Sequence, residues 1–284
     1  MNWPEDEWPM PNTTPPASRL LGGVELHVMV HQRDKSDAAR RSATLLVNFV
    51  DTVETGETLD MVLDSLDHVR HSSRLFSGAN GVTKLLDFLR KKKFSTVDAV
   101  LLMTSNAPIE ATSAQAVVQA IRTLADGLVV IVDEDCSRWA GLHGVSGFVR
   151  SAQTTSAFAA ASLARCLAAL RIPFKFIGPE PDDVIHSFGS ASEPAVLLEA
   201  IYFGADGKVK FAHKGDAKQA RAATNVTAII TATNMRFFGR ATNTVRAALS
   251  AECQFTFQAP KSPTIAPLVR ERIALLQLIC NNNL

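Results

Sequence analysis

Residues 97–132 read as one strand–helix–strand unit, and that unit limits the fold more than anything else in the chain. Val97–Met103 is an apolar run broken only by Asp98, and Leu128–Val132 is apolar throughout and mostly β-branched. Neither run alternates, so both read as strands buried on two faces, which is the habit of parallel sheets. Between them Ala114, Val117, Val118, Ile121 and Leu124 recur at helical spacing and make one apolar face. Thr112-Ser113-Ala114-Gln115 has the form of a capping box, and Gly127 stands where a helix-ending glycine is expected. Two strands joined through a helix pair in parallel. An Ala-rich helix over 152–170 and a strand over Phe174–Ile177 extend the series. The expected core is α/β, a three-layer sandwich with a mostly parallel sheet.

Before this unit, Val24–Val30 reads as a strand. Ser36 caps an expected helix through about Val53, with Ala39, Ala43, Leu46, Val47 and Val50 on one stripe, although Thr44–Val50 also has the form of a strand. Further helices are expected from Thr58, with Leu59, Val62, Leu63 and Leu66 apolar, and over Val82–Lys93. The second ends in Arg90-Lys91-Lys92-Lys93, a cation cluster that the helix dipole favours. After Glu193 the pattern changes. Ala195–Phe203 and Lys208–Ala212 flank Ala205-Asp206-Gly207, a hairpin signal. Val226–Ala232 and Gln254–Phe257 read as strands around a helix near Asn243–Ser250. Ser262-Pro263 opens an expected terminal helix bearing Leu268, Ile273, Leu276 and Ile279. The organisation is therefore a Pro/Trp-rich tail over 1–18, an α/β core over 19–192, and an antiparallel α+β extension or small second domain over 193–284.

Charge divides the chain unevenly. From Asp206 onward there are eleven basic residues and four acidic ones, so the net charge of +1 conceals a +7 end on a −6 body. A basic end suits an anionic partner, or the two parts complement each other in contact. The four cysteines are far apart, without metal-ligand spacing, as in a reduced cytosolic or nuclear protein. The first residues are acidic and Pro-rich, unlike a signal or transit peptide, and no apolar run reaches the length of a membrane span.

The acids that follow Leu128–Val132 carry the first candidate chemistry. Ligands collect at the carboxyl ends of strands in open α/β sheets. Asp133 and Asp135 are spaced as in an Asp-x-Asp clamp for magnesium or manganese; alternatively these acids mark a solvated strand end. His143, in the glycine-containing loop just beyond, is the candidate proton carrier, and Ser105, in Thr104-Ser105-Asn106 after the neighbouring strand, is a candidate ligand contact. The phosphate-loop pattern is absent. Gly78–Lys84 precedes a helix, but its glycines and lysine are wrongly spaced. A loop, helix, strand, helix and acid-ending strand in this order resemble a nucleoside-triphosphatase layout that has lost its phosphate loop, a degenerate nucleotide-binding fold. In the basic third, Arg236-Phe237-Phe238-Gly239-Arg240 mixes cations with rings as single-stranded nucleic acid binders do. In the tail, Trp3 and Trp8 are the residue type enriched where proteins dock.

The expected function is a non-catalytic subunit or adaptor of a larger intracellular assembly, without a cofactor, meeting protein partners through Trp3 and Trp8. The alternatives are a divalent-metal-dependent enzyme acting on a nucleotide or phosphorylated substrate through Asp133 and Asp135, and an RNA-binding protein using Arg236, Phe237, Phe238 and Arg240.

Overall fold

The computed structural model describes residues 26–33, 42–48, 69–76, 81–92, 94, 96–103, 110–124, 126–151, 186–232, 235–249, 252–258 and 273–282, with 160, 163, 164 and 167 between them. Eleven described strands form one sheet. They are β1 (Leu26–Arg33), β2 (Ser42–Asn48), β3 (Val69–Phe76), β4 (Thr96–Leu102), β5 (Val129–Asp133) and β6 (Gly147–Arg150). The remainder are β7 (Ala195–Phe203), β8 (Lys208–Phe211), β9 (Asn225–Thr231), β10 (Glu252–Gln258) and β11 (Ile273–Asn281). Their order is β10-β9-β11-β7-β6-β5-β4-β2-β1-β3, with β8 hydrogen-bonded to β7. The centre from β2 to β7 is parallel throughout. Antiparallel β1 and β3 flank one side, and β11 is antiparallel to β7 and β9 on the other. The strands of the last third thus continue the same sheet, where β9 and β10 form a parallel pair.

The central strands are apolar on both faces because both faces are covered. Ala99, Leu101, Met103, Val129 and Ile131 pack with the apolar stripes of two helices, α1 (Gly81–Lys92) and α2 (Ala111–Arg122). Those stripes are Leu85, Phe88 and Leu89, and Ala114, Val117, Val118 and Ile121, spaced for one helix face. Val100, Leu102, Val130 and Val132 face the other way, against helical Ala160, Leu163, Ala164 and Leu167. The α/β class and its layers are therefore present. On the β7–β11 side, Leu198, Ala200, Tyr202, Ala228, Ile230, Leu276 and Leu278 pack under α3 (Asp216–Ala222) and α4 (Met235–Ala248).

Several local expectations need correction. The segment expected to be a helix over Ser36–Val53 contains β2. Ala43–Val47 are all buried between β1 and β4, and burial on two faces satisfies a strand where a single stripe would satisfy a helix. The end of the chain makes the same point. Residues 273–281 form β11, not a helix, because an apolar run placed between β7 and β9 is buried on both sides. The α4 helix starts at Met235, earlier than the Asn243 expected. No capping box forms on α2. Its N-cap is Glu110, which makes no side-chain cap bond, and the Thr112 hydroxyl donates to the Glu110 carboxylate at 3.3 Å. Gly127 is not the helix stop either; α2 ends at Arg122 with Thr123 as its C-cap. The glycine is needed because a Cβ there would lie 2.0 Å from the Val97 carbonyl oxygen. The hairpin forms as expected, with Gly207 at φ +68° in its turn. The expected helix from Thr58 and strand Phe174–Ile177 lie outside the described residues.

Candidate functional site

β5 ends at Asp133, so the three acids of Asp133-Glu134-Asp135 do not share a strand face. Asp133 is 0% exposed, whereas Glu134 and Asp135 face solvent. Directly after the strand the chain enters a short 3-10 turn, Cys136–Trp139, which brings the Trp139 indole back under the strand end. Trp139 Nε1 donates to Asp133 Oδ2 at 2.6 Å. The backbone amide of Glu134 donates to Asp133 Oδ1 at 2.6 Å, and that of Asp135 donates to the same oxygen at 3.4 Å. Both oxygens are thereby held by the protein's own donors, and a buried carboxylate needs such partners. Burial pushes the Asp133 pKa up, while these donors and the Arg138 charge pull against it.

Asp135 has a different task. Its Oδ1 accepts from the Ser137 hydroxyl at 2.6 Å and the Ser137 amide at 3.1 Å, capping the turn. Those bonds hold its carboxyl below the usual range. The two acids of the expected metal clamp therefore point to separate partners, one inside and one outside. Among the described residues no group of three His, Cys, Asp or Glu is arranged to hold a metal ion. Cys136 is buried beside Asp133, and burial first, then the Asp133 charge, raises its thiol to about 12. A thiol that high is no nucleophile at neutral pH.

A shallow groove of about 420 Å³ lies outside this lock, between the first turns of α2 and residues 138–143. His143 lines it and is exposed, but its backbone is what the protein uses. The Gln115 side chain accepts from the His143 amide at 2.8 Å and donates to the His143 carbonyl at 3.1 Å. Arg122, at the end of α2, donates to Gly144 O at 2.7 Å and to Ser146 Oγ at 2.9 Å, and also to Gly127 O. The loop is pinned to the helix along its length. Asp133 does not reach the groove, since Trp139 stands between them. His143 and the acids thus do not converge, and Ser105 lies outside the described residues, as do Trp3 and Trp8.

The cation-and-ring segment also comes apart. In α4, Phe237 and Phe238 turn into the core, where Phe237 packs on Tyr202 with ring centroids 5.5 Å apart. Arg236 and Arg240 point to solvent. Helical spacing puts the rings and the cations on opposite sides, which removes both rings from stacking on a nucleic acid.

Two features escaped the sequence reading. One is Trp139, the sole tryptophan outside the tail, whose pairing with a strand-end acid six residues earlier is the available signal. The other is a cross-strand pair, Glu199 on β7 and Gln277 on β11. Glu199 Oε1 and Gln277 Nε2 are both buried without a hydrogen-bond partner among the described residues. Burial raises the Glu199 pKa more than the neighbouring amide of Gln277 and the charge of His213 lower it. Polar residues breaking otherwise apolar strands were the signal here.

Fold and site together define an α/β protein with a mixed sheet, parallel at its centre, whose central strand end is closed by a carboxylate–indole pair. No protein-family model matches the chain. No curated protein matches it either. Solved structures similar to it include an empty FtsZ dimer of M. jannaschii, at 10% identity over 71% of this chain and 68% of that one, with a TM-score of 0.42. GDP-bound CetZ1 from Haloferax volcanii is similar at 5% identity over 72% and 70%, with a TM-score of 0.39. A DegV family protein from Corynebacterium glutamicum matches over 90% and 88% at 13% identity, with a TM-score of 0.27. At these scores the likeness goes no further than the α/β class. Among the described residues no helix is long and apolar enough to cross a membrane.

Proposed function

We propose that the chain is a non-catalytic, protein-binding α/β subunit. The observation that supports this is the closure of the β5 end. The position where an open α/β sheet would present a ligand-binding acid holds a carboxylate whose two oxygens already accept from Trp139 and two backbone amides. A metal or phosphoryl group would have to displace an indole that is 2% exposed. The thiol beside it is held protonated, and the loop beyond is tied down by Gln115 and Arg122. Such a strand end serves to keep a shape. Protein partners, met in part through Trp3 and Trp8, are the reading that a shape-keeping fold with a Trp-bearing tail supports.

The test is a melting-temperature panel with magnesium or manganese and nucleotides, run on the full chain, Asp133→Asn and Asp135→Asn. A ligand bound at one hundred times its Kd would add about 2.7 kcal/mol and raise the midpoint by degrees. The expected result is no metal- or nucleotide-dependent rise. Asp133→Asn should cost about 1–3 kcal/mol of stability, because an amide donor would face the Trp139 donor, and so lower the midpoint equally with and without metal. A metal-dependent rise that both variants abolish overturns the reading.

A further inference from the structure

The β7–β8 hairpin has one face in the core and one face outside. Alternation puts Ala200, Tyr202, Val209 and Phe211 inward, against α4. The register sets Ile201 opposite Lys210 and Phe203 opposite Lys208 on the outer face. Ile201 is 36% exposed and is the single exposed large hydrophobic among the described residues. Lys208 reaches only an exposed Asp206 at 3.8 Å, and Lys210 has no ion-pair partner among the described residues. Lys214, just beyond the strand, is exposed as well. Lysines on an edge strand discourage unwanted strand pairing, which explains Lys208 and Lys210. It does not explain an isoleucine left open between them.

We propose that this outer face, Ile201 and Phe203 bordered by Lys208 and Lys210, is the docking surface for the chain's own segment Trp3-Pro4-Glu5-Asp6-Glu7-Trp8. Charge complementarity is one argument: the segment carries three acids and no base, and two indoles bracket them. Trp rings supply apolar area for Ile201 and Phe203 and a face that a lysine ammonium attracts. Reach is the other argument. His27, at the start of β1, pairs with Asn48, at the end of β2, so the chain enters β1 at the carboxyl edge of the parallel strands. Ile201 and Phe203 end β7 at that same edge. Five strand spacings separate β1 from β7, roughly 24 Å. Trp8 precedes Leu26 by 18 residues, which span up to roughly 60 Å when extended. The inference rests on the reading of this segment as a docking peptide, and it names where the segment sits when no partner holds it.

Fluorine NMR on 5-fluorotryptophan-labelled full chain tests it, with the three resonances assigned through Trp3→Phe, Trp8→Phe and Trp139→Phe. The expected result is that Trp3 and Trp8 resonate away from their positions in a free peptide of residues 1–18. Ile201→Asp, and separately Lys208→Glu with Lys210→Glu, should return both to the free positions while the Trp139 resonance stays put, which certifies the fold. Free-peptide positions already in the unmodified chain, or shifts that neither hairpin variant changes, overturn the proposal. Shifts that vanish on dilution also overturn it, since the segment would then dock on a second copy. Partner co-purification with and without residues 1–18 reads the docking-peptide role separately, so that role can survive when the hairpin site fails.

Discussion

Two buried carboxylates set the ends of a scale in this molecule. Asp133 closes a central parallel strand and has a donor on each oxygen. Glu199 sits in the antiparallel part of the same sheet with Oε1 buried and without a hydrogen-bond partner among the described residues, facing a Gln277 that is only 3% exposed. Both carboxyls have raised pKa values, and desolvation is the leading cause for both. What differs is the compensation. Three protein donors tie the Asp133 carboxylate to the turn that follows it. Glu199 carries its desolvation with less in return. Burial and a raised pKa thus describe both residues and assign a role to neither; the hydrogen-bond inventory separates them.

The comparison breaks most visibly at Trp139. Trp139→Ala should cost about 3–5 kcal/mol, the range for emptying a large aromatic site, with the carboxylate of Asp133 stranded as well. Urea or thermal unfolding measures it. A loss below about 1 kcal/mol would mean that the indole only rests on the strand end, and the contrast with Glu199 would disappear.

Glu199 should behave in the opposite sense, with a smaller effect that depends on pH. Its folded pKa lies above the unfolded value of 4.5. The stability linked to it is therefore fully present below pH 4.5 and is lost as pH rises through the folded pKa. Glu199→Gln removes the charge without changing the shape. The variant should melt higher than the parent at pH 7, with the gap closing toward pH 4.5. Melting curves across that range decide it. A gap that widens on acidification would show that Glu199 is as well compensated as Asp133.

How much of this could be read from residues alone follows from the same physics. The β4–α2–β5 unit was legible because two-sided burial leaves an uninterrupted apolar run and one-sided burial leaves a helical stripe. Those signals failed in β2 and β11, where a short apolar run fits either element and only the neighbouring strands decide. The Arg236–Arg240 segment was legible in composition but not in direction. Placing Phe237 inward needed the start of α4 at Met235, eight residues before the Asn243 expected. The sequence placed Asp133, Glu134 and Asp135 together where the strand ends, and Asp133 is its last residue. Its role depends on where the chain goes next, and a 3-10 turn that folds an indole back by six residues has no sequence grammar comparable to a helix stripe. Glu199 and Gln277 meet only through a pairing of strands some eighty residues apart, which no local pattern carries.

The smallest effect concerns the same β7 strand, two residues on. Ile201 shares a face with Glu199 but opens to solvent, so its side chain contributes little to the folded core. Ile201→Asp should change stability by no more than about 0.5 kcal/mol, the usual range for a surface site. Its partner on the inward face gives the control: Tyr202 is buried against Phe237, and Tyr202→Ala should cost about 3 kcal/mol or more. Chemical denaturation of the two variants side by side reads both numbers. If Ile201→Asp proved as damaging as Tyr202→Ala, the outer face of the hairpin would be core rather than surface, and no segment or partner would have room to dock there.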